Sequence, residues 1–206
     1  MKIIGFVGLP GSGKGEASQA ARDLGLAVVV MGDLIRQEAA CRGLAPTDEN
    51  LGSVGSALRA EEGPDAVARR TLEMARATGE DVVVVDGLRS REEAEFIRTA
   101  VDEFHLIEVC APAKARLKWL EARGRSDDPR CKGLPAGCRS AFCQEIEHEA
   151  AQALERREAR EISWGMSEAC RAASLKLGND GSLEEFRRRV QALLELLLKT
   201  STNADQ

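Results

Sequence analysis

Aromatic residues are scarce in this sequence, since Phe and Trp make up only 3% of its 206 residues and tyrosine is absent. The hydrophobic core must therefore consist mainly of aliphatic side chains. Long apolar runs are also missing: the run from Ala27 to Met31 is far shorter than the ~20 residues that a membrane-spanning helix needs. The first residues lead directly into a strand-like segment, without the charged and apolar regions of a signal peptide. These absences predict a cytoplasmic protein with no membrane partner.

Basic residues are outnumbered by acidic ones, 29 against 34, which gives a net charge of −5 and a pI near 5.3. Proteins that bind nucleic acids or anionic membranes generally carry a basic surface, so a nucleic-acid partner is not expected. The six cysteines are scattered through a chain without a secretory signal. Free thiols in a reducing compartment are therefore expected.

Short β-rich runs alternate with helical stretches along the chain. Strands are predicted at residues 3–7, 27–30, 82–85, 104–110 and, as an edge strand, 174–177. The valine run at 82–85 is continuous rather than alternating, which is typical of a strand covered on both faces. The intervening helices suit right-handed crossovers between parallel strands. The pattern predicts one α/β domain over residues 1–206, with a doubly wound, mostly parallel, five-stranded sheet.

The second half of the chain contains a polar excursion and two helical stretches. Residues 123–137 are rich in Gly, Pro and basic side chains, which is typical of a mobile excursion from the core. A long charged helix is predicted from residue 141 to about residue 170. A final helix is predicted to begin after Ser182, because Glu185 three residues on completes a capping box.

A glycine-rich turn separates the first predicted strand from a helix predicted at residues 14–24. Residues 8–14 read Gly-Leu-Pro-Gly-Ser-Gly-Lys and fit the G-x-x-x-x-G-K pattern of a phosphate-binding loop, or P-loop. In such a loop the backbone N–H groups converge on phosphate oxygens, and the lysine reaches the β- and γ-phosphates. The turn therefore predicts an ATP site. The predicted ATP-binding residues are Gly8, Gly11, Ser12, Gly13, Lys14, Gly15 and Glu16, with Lys14 also catalytic.

Gly15 departs from the usual pattern, because a Ser or Thr at this position normally binds Mg²⁺ through its hydroxyl. Mg²⁺ must then be held by substrate oxygens, waters and carboxylates from elsewhere in the chain, which suits this ion. With Pro10 and Gly15, the loop resembles that of adenylate kinases and related nucleoside monophosphate kinases. Other segments resemble an archaeal group of adenylate-kinase-related proteins, also compared with dephospho-coenzyme A kinases; they lie at residues 29–33, 46–50, 62–68 and 124–129.

The resemblance extends to a predicted acceptor-binding segment at about residues 32–65. Residues 32–36 are similar to the Gly-Asp-x-x-Arg segment of adenylate kinases. This similarity implies that Gly32 and Arg36 bind the phosphate of the acceptor. It also implies that Asp33 helps to order the waters around Mg²⁺.

Residues 86–89, Asp-Gly-Leu-Arg, follow the third predicted strand and resemble the Asp-Gly-x-Pro-Arg motif of the same kinases. Ligands bind at the carboxyl ends of strands in such sheets. The resemblance implies that Asp86 holds Mg²⁺ through water and that Arg89 is a second clamp on the acceptor. Leu88 stands where those kinases have proline.

The resemblance also implies a lid at about residues 123–155 that closes over ATP, with Arg123 and Arg157 contacting the transferring group. Asn179 and Gly181 are similar to the loop that contacts adenine, with a plain strand–helix turn as the alternative. Trp119 is expected to pack against the sheet, with stacking on a base as the alternative.

Some adenylate kinases carry a structural zinc in the lid. In this sequence a possible set of zinc ligands consists of Cys131, Cys138, Cys143 and His148. The set lacks the paired C-x-x-C arms of such sites, so free thiols are expected and zinc is the alternative.

Together these features predict a phosphotransferase that uses ATP and Mg²⁺ and acts on a small nucleotide acceptor, with AMP as the first candidate. A nucleoside monophosphate is already an anionic nucleophile, so positioning and charge neutralisation are sufficient. The second hypothesis is an alcohol kinase similar to dephospho-coenzyme A kinase, in which Asp33 is the base. The third is a nucleotide-dependent switch or assembly factor with slow ATPase. The sequence indicates neither the acceptor's base nor an oligomeric state.

Overall fold

The computed structural model describes residues 1–128 and 141–200, and for residues 141–147 and residue 200 it describes only the backbone. Within these residues, parallel strands form a five-stranded sheet in the order β2-β3-β1-β4-β5. The strands are β1 (Lys2–Val7), β2 (Ala27–Val30), β3 (Val82–Leu88), β4 (Glu103–Cys110) and β5 (Leu175–Gly178). The helices are α1 (Lys14–Asp23), α2 (Met31–Cys41), α3 (Asp48–Glu62), α4 (Ala66–Ala77), α5 (Arg91–Ala100), α6 (Ala113–Arg123), α7 (Ala141–Ser163), α8 (Met166–Ala172) and α9 (Leu183–Thr200).

The predicted α/β fold with a doubly wound parallel sheet is confirmed. Helices cover both faces, and successive side chains of a strand enter different clusters. Val83 and Val85 of β3 belong to the cluster formed with α2 to α5 and α8, whereas Val84 belongs to the cluster formed with α1 and α9. All three valines are fully buried. The continuous apolar run therefore reflects a strand that is covered from both sides.

Small side chains bring α1 close to the sheet. Ala17, Ala20 and Ala21 of α1 are fully buried, in one cluster with Phe186 and Val190 of α9. This packing fixes the helix that follows the P-loop. Because all strands are parallel, the carboxyl ends of β1, β2 and β3 meet at one edge of the sheet, and the predicted site residues of the first half of the chain lie there.

The prediction of one long helix to about residue 170 is wrong, because the chain turns at Gly165. This residue has φ of +100° and separates α7 from α8. Its N–H donates to the carbonyl oxygen of Ile162 at 2.9 Å, and only glycine adopts such a backbone without strain. The turn lets Met166 and Ala169 of α8 enter the core.

The predicted capping box at the start of α9 is confirmed. The Ser182 hydroxyl accepts from the N–H of Glu185 at 3.2 Å, and the Glu185 carboxylate accepts from the N–H of Ser182 at 2.9 Å. Hydrogen bonding to Ser182 holds the pKa of Glu185 below its usual value. Two reciprocal bonds thus satisfy N–H groups that a helix start otherwise leaves unpaired.

Glu93 forms a second network, at the start of α5, that the sequence analysis did not identify. Its N–H donates to the hydroxyl of Ser90 at 3.1 Å. Its carboxylate is fully buried and accepts from the Arg59 guanidinium at 2.5 Å and from the Arg89 N–H at 2.7 Å. The network joins α3 to the loop after β3, and therefore supports the segment that carries Arg89.

The cysteines with described side chains are Cys41, Cys110 and Cys170, and all three are free thiols. Burial raises the pKa of Cys170 to about 11, with the nearby Glu108 adding to the effect. Cys131, Cys138 and the side chain of Cys143 lie outside the described residues, as does the centre of the predicted lid. Across residues 1–128 and 141–200, no helix is long and apolar enough to cross a membrane.

Replacing Glu93 by glutamine is expected to lower the free energy of unfolding by about 3–5 kcal/mol, because Arg59 would lose its buried carboxylate partner. Chemical denaturation at neutral pH measures the change. Glu92→Gln, at the exposed neighbouring position, is the matched control and should shift stability by less than about 0.5 kcal/mol. Equal stabilities for the two variants would contradict the structural role of Glu93.

Candidate active site

The glycine-rich turn between β1 and α1 is held tightly against its surroundings. Gly8, Gly11 and Gly13 have φ of +148°, +77° and +110°. A Cβ on Gly8 would lie 2.2 Å from the carbonyl oxygen of Val109, and one on Gly11 would lie 2.7 Å from that of Arg116. Glycine is therefore required by both conformation and space. The loop has the form that directs successive N–H groups at an anion.

Lys14 lies over this loop. Its ammonium group donates to the carbonyl oxygens of Gly8 and Leu9 at 2.6 and 3.1 Å. Burial lowers the pKa of Lys14, while the charges of Asp86 and Glu161 act to raise it. The lysine therefore lies within the electrostatic reach of two carboxylates on other elements.

A cleft of about 710 Å³ runs from the P-loop across the carboxyl edge of the sheet to α7. Its volume is within the range of small-molecule sites. All but one of the predicted site residues line it: Gly11, Ser12, Gly13, Lys14, Gly15, Glu16, Gly32, Asp33, Arg36, Asp86, Arg89, Arg123, Arg157, Asn179 and Gly181. The exception is Gly8, whose carbonyl oxygen instead receives the Lys14 hydrogen bond.

Asp86 is buried within β3, near its carboxyl end, and accepts a hydrogen bond from the Ser18 hydroxyl at 2.8 Å. Ser18 lies on α1, one turn beyond Gly15, and also lines the cleft. A hydroxyl is thus present beside the carboxylate although position 15 lacks one. These oxygen donors match the preference of Mg²⁺. No group of three or more acidic, His or Cys side chains in the described part of the chain is arranged as a metal site, so such an ion would keep waters and phosphate oxygens as ligands.

Asp33 and Arg36 form an ion pair on the first turns of α2, with 2.6 Å between Oδ1 and Nη2. Asp33 remains 62% exposed. Arg36 lies beside Gly32, where an added Cβ would be 3.3 Å from its guanidinium, and Asp127 is 3.9 Å away on the other side. A glycine at position 32 therefore leaves room for the arginine in the cleft wall.

Arg89 and Arg157 approach the same oxygen of Glu161, a residue that the sequence analysis did not identify. Arg89 Nη2 is 3.6 Å and Arg157 Nε is 3.4 Å from Glu161 Oε1. Burial acts to raise the pKa of Glu161, but Arg89, Arg157 and Lys14 outweigh it and hold the pKa below its usual value. Burial lowers the pKa of Arg89, with Glu161 opposing that change. The only sequence signal for Glu161 is its spacing of one helical turn from Arg157.

The two predicted transition-state arginines have carboxylate partners of their own. Arg123 donates two hydrogen bonds to the Asp128 carboxylate, from Nη2 to Oδ1 and from Nε to Oδ2, the latter at 2.8 Å. Arg157 Nη1 donates to the Asp127 carbonyl oxygen at 3.0 Å, and its Nη2 is 3.4 Å from the Asp127 carboxylate. Both guanidinium groups are thus fixed at the cleft by residues 127 and 128.

On the opposite side of the cleft, Asn179 connects the last strand to the P-loop. Its side chain is buried and donates to the Ser12 carbonyl oxygen at 3.1 Å, and its N–H donates to the Cys110 carbonyl oxygen at 2.7 Å. Gly181 follows in the same loop and lines the cleft. Glu16 also lines it, with its carboxylate paired to Arg187 of α9 at 2.6 Å.

Trp119 lines the cleft and belongs to neither core cluster, so the expectation that it packs against the sheet is wrong. The physical reason is its place on α6, whose residues Trp119, Leu120, Ala122 and Arg123 line the cleft. The other tryptophan, Trp164, lies under three arginines: the guanidinium carbons of Arg59, Arg89 and Arg160 are 4.5, 5.6 and 5.7 Å from its ring centre. A guanidinium group in such a position is attracted to the electron-rich face of the indole ring.

Comparison with known proteins identifies the family. A family model described as an AAA domain matches residues 7–130. The UPF0200 protein of Methanothrix thermoacetophila is 50% identical over 200 residues, covering 97% of this chain and 100% of that protein. The UPF0200 protein of Methanosarcina acetivorans is 41% identical over 203 residues, 98% of each. The chain belongs to the UPF0200 family.

Solved structures support the fold of this UPF0200 chain. A gluconokinase from Sinorhizobium meliloti has a TM-score of 0.53 at 14% identity, covering 100% of this chain and 98% of that one. The protein TT1252 from Thermus thermophilus has a TM-score of 0.50 at 22% identity, covering 95% and 97%. The UPF0200 chain thus has a P-loop kinase-like fold. Its resemblance to adenylate kinases and dephospho-coenzyme A kinases stays a prediction.

Gly13→Ala is expected to weaken binding of a non-hydrolysable ATP analogue by about a hundredfold, because the new Cβ would lie 2.4 Å from Asn179 Nδ2 at a φ of +110°. Isothermal titration calorimetry measures the change. Gly25→Ala is the matched control, since Gly25 also has a positive φ, +79°, but lies outside the cleft, and an added Cβ there meets no atom within 4 Å. If both variants bind the analogue like the original chain, the cleft beside Gly13 is not the ATP site.

Proposed function

We propose that the protein is an ATP-dependent phosphotransferase that moves the γ-phosphate of MgATP to a small nucleotide acceptor, with AMP as the first candidate. The observation that carries this proposal is a single cleft lined by both the P-loop lysine, Lys14, and the arginines Arg36, Arg89 and Arg157. Two anionic substrates need cationic groups on both sides of the group that is transferred. The absence of a membrane-spanning helix in the described residues is compatible with a small-molecule substrate.

The P-loop side holds ATP in this proposal. The loop amides and Lys14 neutralise the β- and γ-phosphates, and Gly181 and Trp119 flank the region available to the adenine base. Mg²⁺, when bound with ATP, neutralises developing charge on the phosphate oxygens. Asp86 and Ser18 would hold that ion through its waters.

The arginine side holds the acceptor. Arg36 and Arg89 bind its phosphate, because a guanidinium is permanently charged and presents parallel donors to phosphate oxygens. Arg157 and Arg123 lie nearer the transferring group. The acceptor's phosphate oxygen is the nucleophile, so the chain needs no strong base, and exclusion of water by the lid suppresses hydrolysis.

An assay of ADP release with MgATP and a panel of nucleoside monophosphates plus dephospho-coenzyme A tests the proposal. Strong stimulation by one monophosphate is expected, and Lys14→Ala should remove at least about 99% of it because the γ-phosphate loses its cation. Stimulation by dephospho-coenzyme A alone would contradict the monophosphate proposal. Slow hydrolysis that no acceptor changes would indicate the switch or assembly factor instead.

One observation favours an alcohol kinase as the second candidate. The Asp33 carboxylate lines the cleft and remains largely exposed to it, beside Arg36. An acceptor hydroxyl must lose a proton, and a carboxylate at the carboxyl end of β2 can accept it. In that reaction Asp33 is the base, whereas for a monophosphate it only orders waters.

Asp33→Asn distinguishes the two reactions. Transfer to an alcohol should fall by about a hundredfold or more, because the proton acceptor is lost. Transfer to a monophosphate should fall by less than about tenfold. Initial rates with saturating MgATP measure both. Asp23→Asn, at the exposed end of α1 and outside the cleft, is the control; unchanged rates in both variants would exclude either role for Asp33.

A further inference from the structure

Glu161 is a carboxylate buried among the cations of the cleft. It lies on α7, its side chain is 3% exposed, and it lines the cleft. Its ion pairs use one oxygen, Oε1, which is 3.6 Å from Arg89 Nη2 and 3.4 Å from Arg157 Nε. Nothing in the proposed reaction requires a negative charge at this position. An ionised group that is buried in a site without a role there calls for an explanation.

The charge of Glu161 is maintained by its neighbours. Arg89, Arg157 and Lys14 hold its pKa below the usual range despite burial. It is therefore a carboxylate at neutral pH and not a neutral hydrogen-bond donor. Removing the charge would leave two partly buried guanidinium groups beside each other, and their mutual repulsion would disfavour this arrangement.

Glu161 matters most for Arg89. Arg157 has further carboxylate neighbours in Asp127 and Asp48, at 3.4 and 3.5 Å. For Arg89, by contrast, the described residues supply no ion pair other than that with Glu161; its guanidinium also lies 5.6 Å from the ring centre of Trp164. Because both residues line the cleft, a phosphate that enters the cleft and binds the Arg89 guanidinium meets this carboxylate.

We propose that Glu161 is a specificity-determining residue, an internal anion that occupies the Arg89–Arg157 pair and must be displaced by the phosphate of the acceptor. A phosphate and a carboxylate cannot share this pair without strong repulsion in a site with little water. For free phosphate, the attraction to the two arginines is the only interaction that opposes this repulsion. An acceptor with a sugar and a base gains further contacts, so it displaces Glu161 where free phosphate does not.

The inference rests on the proposed function for the identity of the displacing acceptor, but its test needs no turnover. Inorganic phosphate is titrated calorimetrically into the full chain with Mg²⁺ and a saturating non-hydrolysable ATP analogue, so that the P-loop site is filled. Glu161→Gln keeps the shape of the side chain and removes its charge. It is expected to bind phosphate about ten- to a hundredfold more tightly than the original chain.

Two further variants locate the effect. Glu155→Gln changes an exposed carboxylate on the same helix and should leave phosphate binding unchanged. In the double variant Arg89→Gln/Glu161→Gln the gain should disappear, because the cation that receives the phosphate is gone. If Glu161→Gln is less stable, phosphate should raise its melting temperature more than that of the original chain, since a ligand stabilises the state that it binds.

Phosphate binding that is unchanged or weaker in a folded Glu161→Gln variant would overturn the proposal and leave Glu161 as a brace for the two arginines. A gain that persists in the double variant would also overturn it. If the gain is found as expected but no nucleotide acceptor supports turnover, the inference about Glu161 stands and the proposed function fails. Turnover with a monophosphate but no gain in phosphate binding would support the proposed function and overturn the inference about Glu161.

Discussion

Repulsion between like charges is the constraint on which the cleft depends. Guanidinium groups from several elements line it, and three of them are held by carboxylates: Arg36 by Asp33, Arg89 by Glu161, and Arg157 by Asp127. Such pairs add little stability when intact, but loss of an arginine partner leaves an uncompensated charge on the buried carboxylate of Glu161 or Asp127. The acidic residues therefore determine where the arginines can point, and the arginines determine which ligands the cleft can receive.

The P-loop depends on a second constraint, which is close approach of backbones. Gly8 and Gly11 lie against carbonyl oxygens of Val109 and Arg116, and Asn179 fixes the Ser12 carbonyl oxygen from the far end of the chain. The last strand is thus required to hold the first loop in shape. This explains why the edge strand β5, although short, belongs to the functional part of the fold.

The sequence predicts the sheet and the P-loop well because both follow from local rules. A strand covered on two faces must be apolar throughout, as at residues 82–85, and a phosphate-binding turn needs glycine at fixed spacings before Lys14. Other features depend on tertiary structure. The break at Gly165 is hidden in a helical pattern, and Glu161 looks like an ordinary surface partner of Arg157 until β3 brings Arg89 beside it. The environment of Trp119 likewise depends on tertiary structure, because the side chain lines a cleft that residues distant in the sequence form.

The contact between the helices α3 and α7 is mainly ionic. Arg160 of α7 makes two hydrogen bonds to Asp48 at 2.8 and 3.0 Å, and its guanidinium lies over Gly52 of α3, where a Cβ would be 2.6 Å from it. Trp164 lies over Gly55 in a similar way. Ion pairs in a partly solvated interface are weakened by salt, and their side chains can change partners. The side chains of a close-packed apolar core cannot rearrange in this way. In the proposed reaction, the rigid sheet holds the ATP side fixed while these ionic contacts let α3 and α7 adjust to the acceptor. Because a fold alone does not determine function, the choice of acceptor in the proposed reaction depends on these side chains and not on the sheet.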